Sequence, residues 1–290
     1  MSRSVDSGRV PSGAVVITGT STGIGRACAL RLDAAGFEVF ATVRREEDAE
    51  GLRAAAPRVR PLVVDVTDQD GVAAAAREVE EAVGDRGVAG LVNNAGMSVA
   101  GPLEFVPLDE LRRQLEVNLV GHVGVTQAFL PAIRRATGRI VNMSSVGGRI
   151  VNPFMGPYHA SKWGLEAITD ALRKELRPWG IHVVAIEPGS IDTELWRSGI
   201  EQARAAVEEL PEVGKQLYGE VIPKGFALAE RMAEHAIPAD RVAKVVERAL
   251  TARRPRTRYT VGIDARALIT LHQVLPDRAM DAVEARLMGA

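Results

Sequence analysis

The chain is short of several things, and each shortage removes a class of protein. Among 290 residues there is one cysteine, Cys28. This excludes an internal disulfide and any metal centre built on clustered thiolates, and it suits a reducing compartment. The apolar helical surroundings of Cys28 mark it as a small core residue rather than a nucleophile. Net charge is only −1, so no global field holds the chain to nucleic acid or to an anionic membrane. No apolar run reaches the roughly 18 residues of a membrane span, and the start, MSRSVDSGRVPSG, has no apolar block of signal-peptide length. The expectation is a soluble, cytoplasmic protein with no transmembrane segment and no nucleic-acid partner. His122, His159, His182, His235 and His272 lack metal-ligand clustering, so no metal site is expected. Tyrosines number three, which makes the position of each one informative.

What is present is a regular beat. Residues 1–12 are polar and read as a loose tail. Strand-like runs at 14–19, 38–43, 59–65, 90–94, 139–143 and 182–187 alternate with helical patterns at 24–35, 46–56, 69–83, 107–134 and 158–177. Most of the six strands are apolar throughout, the signature of a parallel sheet covered on both faces. The fold class is therefore α/β, a doubly wound Rossmann-type sheet. From 189 to about 237 the beat stops, in a stretch of turn residues and one charged helical run, EQARAAVEEL. That stretch reads as a substrate lid over the carboxyl edge of the sheet. A helix at 238–252 and a strand at 258–262 complete a single catalytic domain, 13–262, and a helical extension occupies 263–290.

The first strand runs into TGTSTGIG, residues 18–25. Strand, glycine turn and helix form the context a bound diphosphate requires. Gly19 can take a backbone angle forbidden to other residues, Gly23 allows close approach of the diphosphate, and Gly25 allows close packing of helix and strand. Ser21, Thr22 and Ile24 complete the turn and belong to the same cofactor-binding set. The second strand ends Val43-Arg44-Arg45 with no acid. An acid there would hold ribose hydroxyls and repel a 2′-phosphate, whereas arginine attracts it, so Arg44 favours NADP(H) over NAD(H). Asp65 closes the third strand, and its carboxylate with the Val66 amide is placed to meet adenine.

GPYHASKWG, residues 156–164, puts Tyr158 and Lys162 on one helix face. A phenol with a pKa of about 10 needs help to exchange protons near neutrality. A neighbouring ammonium and an oxidised nicotinamide both favour the phenolate, and Lys162 is placed to supply the former while bonding the nicotinamide ribose. Ser145, thirteen positions before Tyr158 in VNMSSVGG, is placed to hold a substrate oxygen; Ser144 is its rival. Asn118 falls on or beside an apolar stripe of Leu108, Leu111, Leu115, Leu119 and His122. A buried amide must find partners, and a water chain to Lys162 would provide them and a proton route.

Together these residues resemble the short-chain dehydrogenase/reductases, in wording closest to the hydroxysteroid and retinol dehydrogenase branch. The resemblance covers residues 13–262 and rests on TGTSTGIG, Asp65, NNAG at 93–96, Asn118, Ser145, YHASK at 158–162 and PGSIDT at 188–193, in that order. It implies that Tyr158 is the general acid/base, that Lys162 lowers its pKa and binds ribose, that Ser145 orients the substrate, and that Asn118 anchors a relay water. It further implies that Asn93, Ala95 and Gly96 line the adenosine side, and that Pro188, Gly189, Ile191 and Thr193 lie along the nicotinamide, with Ile191 and Thr193 contacting its carboxamide. The family's usual dimer face consists of the helices carrying Asn118 and Tyr158, so a homodimer or homotetramer is expected.

The implied activity is hydride transfer between nicotinamide and a hydrophobic ketone, aldehyde or secondary alcohol of a steroid-, retinoid- or lipid-like kind. The pocket would draw on Met97, Val99, Phe105, Val151, Phe154, Met155, Leu195, Trp196 and Phe226. A cofactor-sensing protein without turnover is the rival from another class, but its mark, loss of Tyr158 or Lys162, is absent. A nucleotide-sugar epimerase would need a larger and more polar C-terminal part. ARRPRTR at 252–258 reads as a solvated basic linker. The C-terminal stripe of Leu268, Leu271, Val274, Leu275, Met280, Val283 and Leu287 reads as a cover for the domain surface, the pocket mouth or a neighbouring subunit.

Overall fold

The computed structural model describes residues 13–287; the tail expected at 1–12 and the last three residues lie outside them. Strand β1 (Ala14–Ile17) shows why the sequence reads as buried on both faces. Val15 and Ile17 enter one core, with Val39, Ala41, Val92, Val141 and Val184. Ala14 and Val16 point the other way, into a second core with Phe40, Leu62, Leu91 and Ile140. Alternation across two apolar layers removes the polar face that a half-exposed strand would show.

With β2 (Glu38–Val43), β3 (Arg60–Val63), β4 (Val88–Asn93), β5 (Arg139–Met143), β6 (His182–Pro188) and β9 (Arg258–Val261), it forms a parallel sheet of order β3-β2-β1-β4-β5-β6-β9. The strand expected at 258–262 is the sheet's seventh, pairing alongside β6. Helices α1 (Gly23–Ala34), α2 (Glu46–Ala55) and α10 (Ala239–Thr251) cover the first core; α3 (Gln69–Val83), α5 (Gly121–Ala136) and the far end of α6 (Gly156–Glu175) cover the second. Cys28 is fully buried in the first core, and burial pushes its thiol up to about 12. It is a packing residue.

Strand order reverses between β1 and β4. Connections leave that point in opposite directions and open a crevice at the carboxyl ends of the strands, the place where such sheets take ligands.

Two expectations are corrected. The long helix expected at 107–134 is α4 (Leu108–Leu115), one π-helical turn at Glu116–Val120, and α5. The extra residue of a π turn rotates the helix phase. Leu108 is 63% exposed, and the buried edge is Gln114, Asn118 and His122. The excursion holds three helices, α7 (Glu194–Glu208), α8 (Glu212–Tyr218) and α9 (Ile222–Glu234), between β7 (Ile191–Asp192) and β8 (Ile237–Pro238), which pair with each other at its two ends. Apart from the charged run in α7, its helices escape the pattern because they bury little; even α7 has no fully buried residue. On α11 (Ile263–Val274) and α12 (Asp277–Leu287) the C-terminal stripe covers the domain's own surface only in part: Val274 is 74% exposed and Met280 is buried. The Leu287 side chain lies outside the described residues. Helix α11 is fastened by its first turn, where Asp264 Oδ2 accepts from the Ser190 amide at 3.0 Å. Among the described residues no helix is long and apolar enough to cross a membrane.

Candidate active site

At the switch point the glycines of TGTSTGIG behave as their positions require. Gly19 and Gly23 have φ of 68° and 55°, in the left-handed region. A Cβ on Gly19 would stand 2.7 Å from Ala95 Cα, and one on Gly25 would collide with the Gly19 carbonyl oxygen and Asn94 Nδ2. The turn is thus a bare backbone cradle at the start of α1, able to take a diphosphate on its amides. Gly25→Ala is expected to cost more than the ~1–3 kcal/mol usual for overpacking, since the colliding atoms include backbone; a fall in Tm together with weakened dinucleotide binding would check it.

Sequence reasoning missed what holds this cradle. Thr18 Oγ1 accepts from the amides of Asn94 (2.9 Å) and Ala95 (3.0 Å), and Asn94 Nδ2 returns bonds to the carbonyls of Thr18 (2.9 Å) and Gly19 (3.0 Å). From the other side, Gly19 N donates to Thr42 Oγ1 at 3.2 Å and Thr20 Oγ1 to the Thr42 carbonyl at 2.9 Å. The only sequence signal was hydroxyl residues at the ends of apolar strands.

The predicted cofactor residues fall around the crevice with one exception. Arg44 is exposed and without a partner among the described residues, whereas Arg45 is engaged by Asp48 at 3.1 Å. Asp65 lies beyond the end of β3 in a turn, its Oδ1 accepting from the Thr67 amide (2.9 Å) and hydroxyl (2.7 Å), with Val66 buried beneath. Thr193 reaches back to Gly23, whose Cβ would lie 3.3 Å from it, and it caps α7. Ile191 is buried beside it in β7. The exception is Asn93, whose fully buried amide points inward, donating to Thr126 Oγ1 and Asn142 Oδ1 at 2.9 Å each. Its side chain ties β4 to β5 and α5 and is unavailable to line adenosine.

Tyr158, Lys162 and Ser145 come together. Pro157 starts α6, its missing N–H costing nothing in the first turn, and Tyr158 follows in the same turn. Lys162 is 5% exposed; its Nζ donates to the Met143 carbonyl at 2.8 Å and stands 5.8 Å from the Tyr158 ring centre. Ser145 Oγ accepts from the Gly147 amide at 3.0 Å and is hydrogen-bonded to Tyr158. Ser144 turns the other way, its buried Oγ packed against Gly148. Tertiary placement thus separates two serines that sequence left open.

Burial raises the Tyr158 pKa, and a hydrogen bond with Ser145 acts against the rise. Burial also lowers Lys162 to about 8, with Glu166 acting against the fall. Asn118, fully buried, already has its partners: Oδ1 accepts from the Met97 amide (2.9 Å), and Nδ2 donates to the Met97 carbonyl (3.0 Å) and to Ser161 Oγ (3.2 Å). No water chain is needed to satisfy its side chain. With Gln114, which bonds Val99 N at 2.7 Å and the Met97 carbonyl at 2.9 Å, it fixes the loop after β4. His122 is neutral, held at about 3 by burial and the Lys162 charge, with Nε2 at 2.6 Å from the Ala95 carbonyl. No metal-binding group of histidines, cysteines and acids occurs among the described residues.

Of the apolar residues expected to form a pocket, Phe105 and Phe154 meet the excursion, while Val151 and Leu195 are 48% and 40% exposed. Tyr218 on α8 makes edge-to-face contacts with Phe105 (6.1 Å) and Phe154 (6.0 Å), and its hydroxyl donates to Glu104 at 2.5 Å. Phe154 has φ of 66°, costly for a non-glycine residue, and its carbonyl accepts from Gly101 at 2.8 Å.

The fold is that of a dinucleotide-binding α/β protein, with a tyrosine, a lysine and a serine gathered at the carboxyl end of β5. The sequence profile of the short chain dehydrogenases matches residues 13–204. Mouse retinol dehydrogenase 5 is 40% identical over 93% of this chain and 86% of its own. The NADPH-dependent 3-dehydrocapnine reductase of Ornithobacterium rhinotracheale is 36% identical over 92% of this chain and 94% of its own. Among solved structures, a short-chain dehydrogenase from Streptomyces avermitilis superposes with a TM-score of 0.75 at 30% identity, covering 96% of this chain and 95% of that one. The chain belongs to the short chain dehydrogenase family, whose members act on CH–OH and C=O groups.

Proposed function

We propose that this protein is an NADP(H)-dependent oxidoreductase acting on a hydrophobic secondary alcohol or the corresponding carbonyl, with Tyr158 as the proton-transfer residue. The observation that carries the reading is the convergence of Tyr158, Ser145 and Lys162 at the carboxyl end of β5, on the same edge of the sheet as a glycine cradle that side chains would fill. The cradle, Thr193 above it and the unpaired Arg44 fit a phosphorylated dinucleotide, which when bound supplies or accepts the hydride. The Ser145 hydroxyl orients the substrate oxygen. Tyr158, kept protonated at neutral pH by burial, donates its proton to that oxygen during reduction and takes one back during oxidation. Lys162 holds positive charge behind the phenol, which matters most in the oxidative direction, where the phenolate must form. Asn118 acts by fixing the Met97 backbone at the edge of the site.

The substrate reading rests on the aromatic cluster of Phe105, Phe154 and Tyr218, which suits an extended apolar body; the retinol dehydrogenase relative is in keeping with it. In this reading segment 189–237 is the lid, and 13–262 is the catalytic domain. A homodimer or tetramer joined through α5 and α6 would cover Val120 and Trp163, which are 46% and 49% exposed. Cytoplasmic placement belongs to the same proposal.

The test is NADPH oxidation followed by absorbance across retinoid, steroid, long-chain aldehyde and small polar ketones, with NADH as control. Turnover of the apolar carbonyls with NADPH is expected. Turnover of small polar ketones alone would sink the substrate reading, and NADPH binding without any turnover would favour a cofactor sensor. Arg44→Ala is expected to raise KM for NADPH about tenfold or more and leave KM for NADH nearly unchanged, since a charge-assisted phosphate contact is worth about 1.5–3 kcal/mol; equal effects on both cofactors would remove the arginine argument.

A further inference from the structure

Tyr158, Lys162 and Glu166 follow one another at four-residue intervals on α6, so they share a helix face. The function proposed above uses the first two and leaves Glu166 without a part. Yet Glu166 is only 6% exposed, and a buried carboxylate is strongly unfavourable unless its charge is answered. Its Oε2 accepts from Arg258 Nε at 2.9 Å, while Oε1, equally buried, has no hydrogen-bond partner among the described residues.

A second buried atom in the same state is Ser144 Oγ. Both belong to groups that close on Gly148: a Cβ there would lie 2.8 Å from Ser144 Oγ, 3.0 Å from Glu166 Cγ and 3.1 Å from the Lys162 carbonyl. A hydroxyl donor and a carboxylate acceptor, each lacking a partner, thus face one bare glycine at the level of Lys162. A direct bond after a small rotation or one bridging water would satisfy both. Lys162, for its part, has only the neutral Met143 carbonyl as a direct hydrogen-bond partner. No opposite charge other than Glu166 is identified as acting on it.

We propose that Glu166 is a positioning residue for Lys162: its carboxylate, held by Arg258 on one side and linked to the Ser144 hydroxyl on the other, is the counter-charge that keeps Lys162 an ammonium beside Tyr158. The proposal rests on the part given to Lys162 above. The charged groups facing Glu166 are Lys162 and, through Arg258, Asp170 on α6, Arg258 from β9 and Glu187 from β6, with Arg149 bonded to Glu187 from the turn after β5. Arg258 divides its charge among Glu166, Asp170 and Glu187, so it does not cancel Glu166 alone. The sign is fixed: burial drives Lys162 to lose its proton, Glu166 opposes this, and removing the carboxylate's charge moves Lys162 titration to lower pH.

Lysine is scarce here, at Lys162, Lys174, Lys215, Lys224 and Lys244 only, so NMR of lysine labelled with carbon-13 at the ε position resolves each one. Lys162→Arg identifies the Lys162 signal by its loss. In Glu166→Gln the Lys162 midpoint is expected to fall by about one pH unit or more, and in Glu166→Asp, which keeps the charge, by less than half as much. Should the single variant not fold, Glu166→Gln/Arg258→Met removes both members of that pair and leaves Glu187 to Arg149, and the midpoint falls there too. A mere structural tie between β9 and α6 would lower Tm and leave the midpoint where it is. An unchanged midpoint in the folded Gln variant or in the double variant, or equal shifts for Gln and Asp, overturns the proposal. The titration needs no substrate, so failure of the enzymatic reading, seen as no turnover by the wild type, is distinguishable from failure of this one.

Discussion

Tyr158→Phe is expected to lower kcat by about two to four orders of magnitude, the range contributed by a positioned general acid/base, with NADPH affinity close to that of the wild type. Phenylalanine keeps the ring volume and the edge contact with His159, whose centre lies 5.9 Å away, so packing survives. What disappears is the hydroxyl bonded to Ser145 and with it the proton donor at the substrate oxygen. Lys162 loses nothing in this exchange, since its Nζ is bonded to the Met143 carbonyl. Steady-state turnover beside fluorescence titration of NADPH checks both halves. A variant that kept more than about a tenth of wild-type kcat would fall short of even the smallest effect expected of such a residue, and the proton donor would have to be sought elsewhere.

Arg258→Met is expected to cost about 3–5 kcal/mol of stability, because breaking a buried ion pair by removing one partner strands the other. Arg258 reaches Glu166 (2.9 Å), Asp170 (3.0 Å) and Glu187 (3.5 Å), and the side chains of Glu166 and Glu187 are 7% and 3% exposed. Methionine fills much of the space but leaves two buried carboxylates with too little positive charge. At roughly 2–4 °C per kcal/mol for a chain of about this size, a Tm some 10 °C below wild type follows. The deficit should narrow in acid. Burial already raises the Glu187 pKa, and an acid whose folded pKa lies above its unfolded one stabilises the fold at low pH and loses that contribution as pH rises through the folded value. Thermal melts of wild type and variant at two pH values check this; equal melting temperatures would show that the cluster does not hold β9 to α6.

Much of the site was legible beforehand because its parts lie close together in the chain. Tyr158 and Lys162 are one helical turn apart, and Gly19, Gly23 and Gly25 occupy a single strand-to-helix turn, so local spacing carried the geometry. Asn118 was legible as a buried amide but not in its partners, because the loop it fixes comes from β4 and is placed by the tertiary fold. Glu166, Arg258 and Glu187 went unread as a cluster for the same reason: they stand on α6, β9 and β6, and nothing in their local sequence marks them as neighbours.

Two physical quantities divide what was readable from what was not. Apolar periodicity, turn chemistry and backbone permissiveness act over a few residues, and these determined the α/β alternation, the glycine cradle and the family to which the chain belongs. Burial and long-range contact are sums over the whole packed molecule. They alone decided that Ser145 rather than Ser144 faces Tyr158, that Gln114 and Asn118 lie on the buried edge where leucines were expected, and that burial pushes the phenol pKa up. Desolvation of a charge depends on everything packed around it, and no short stretch of sequence contains that information.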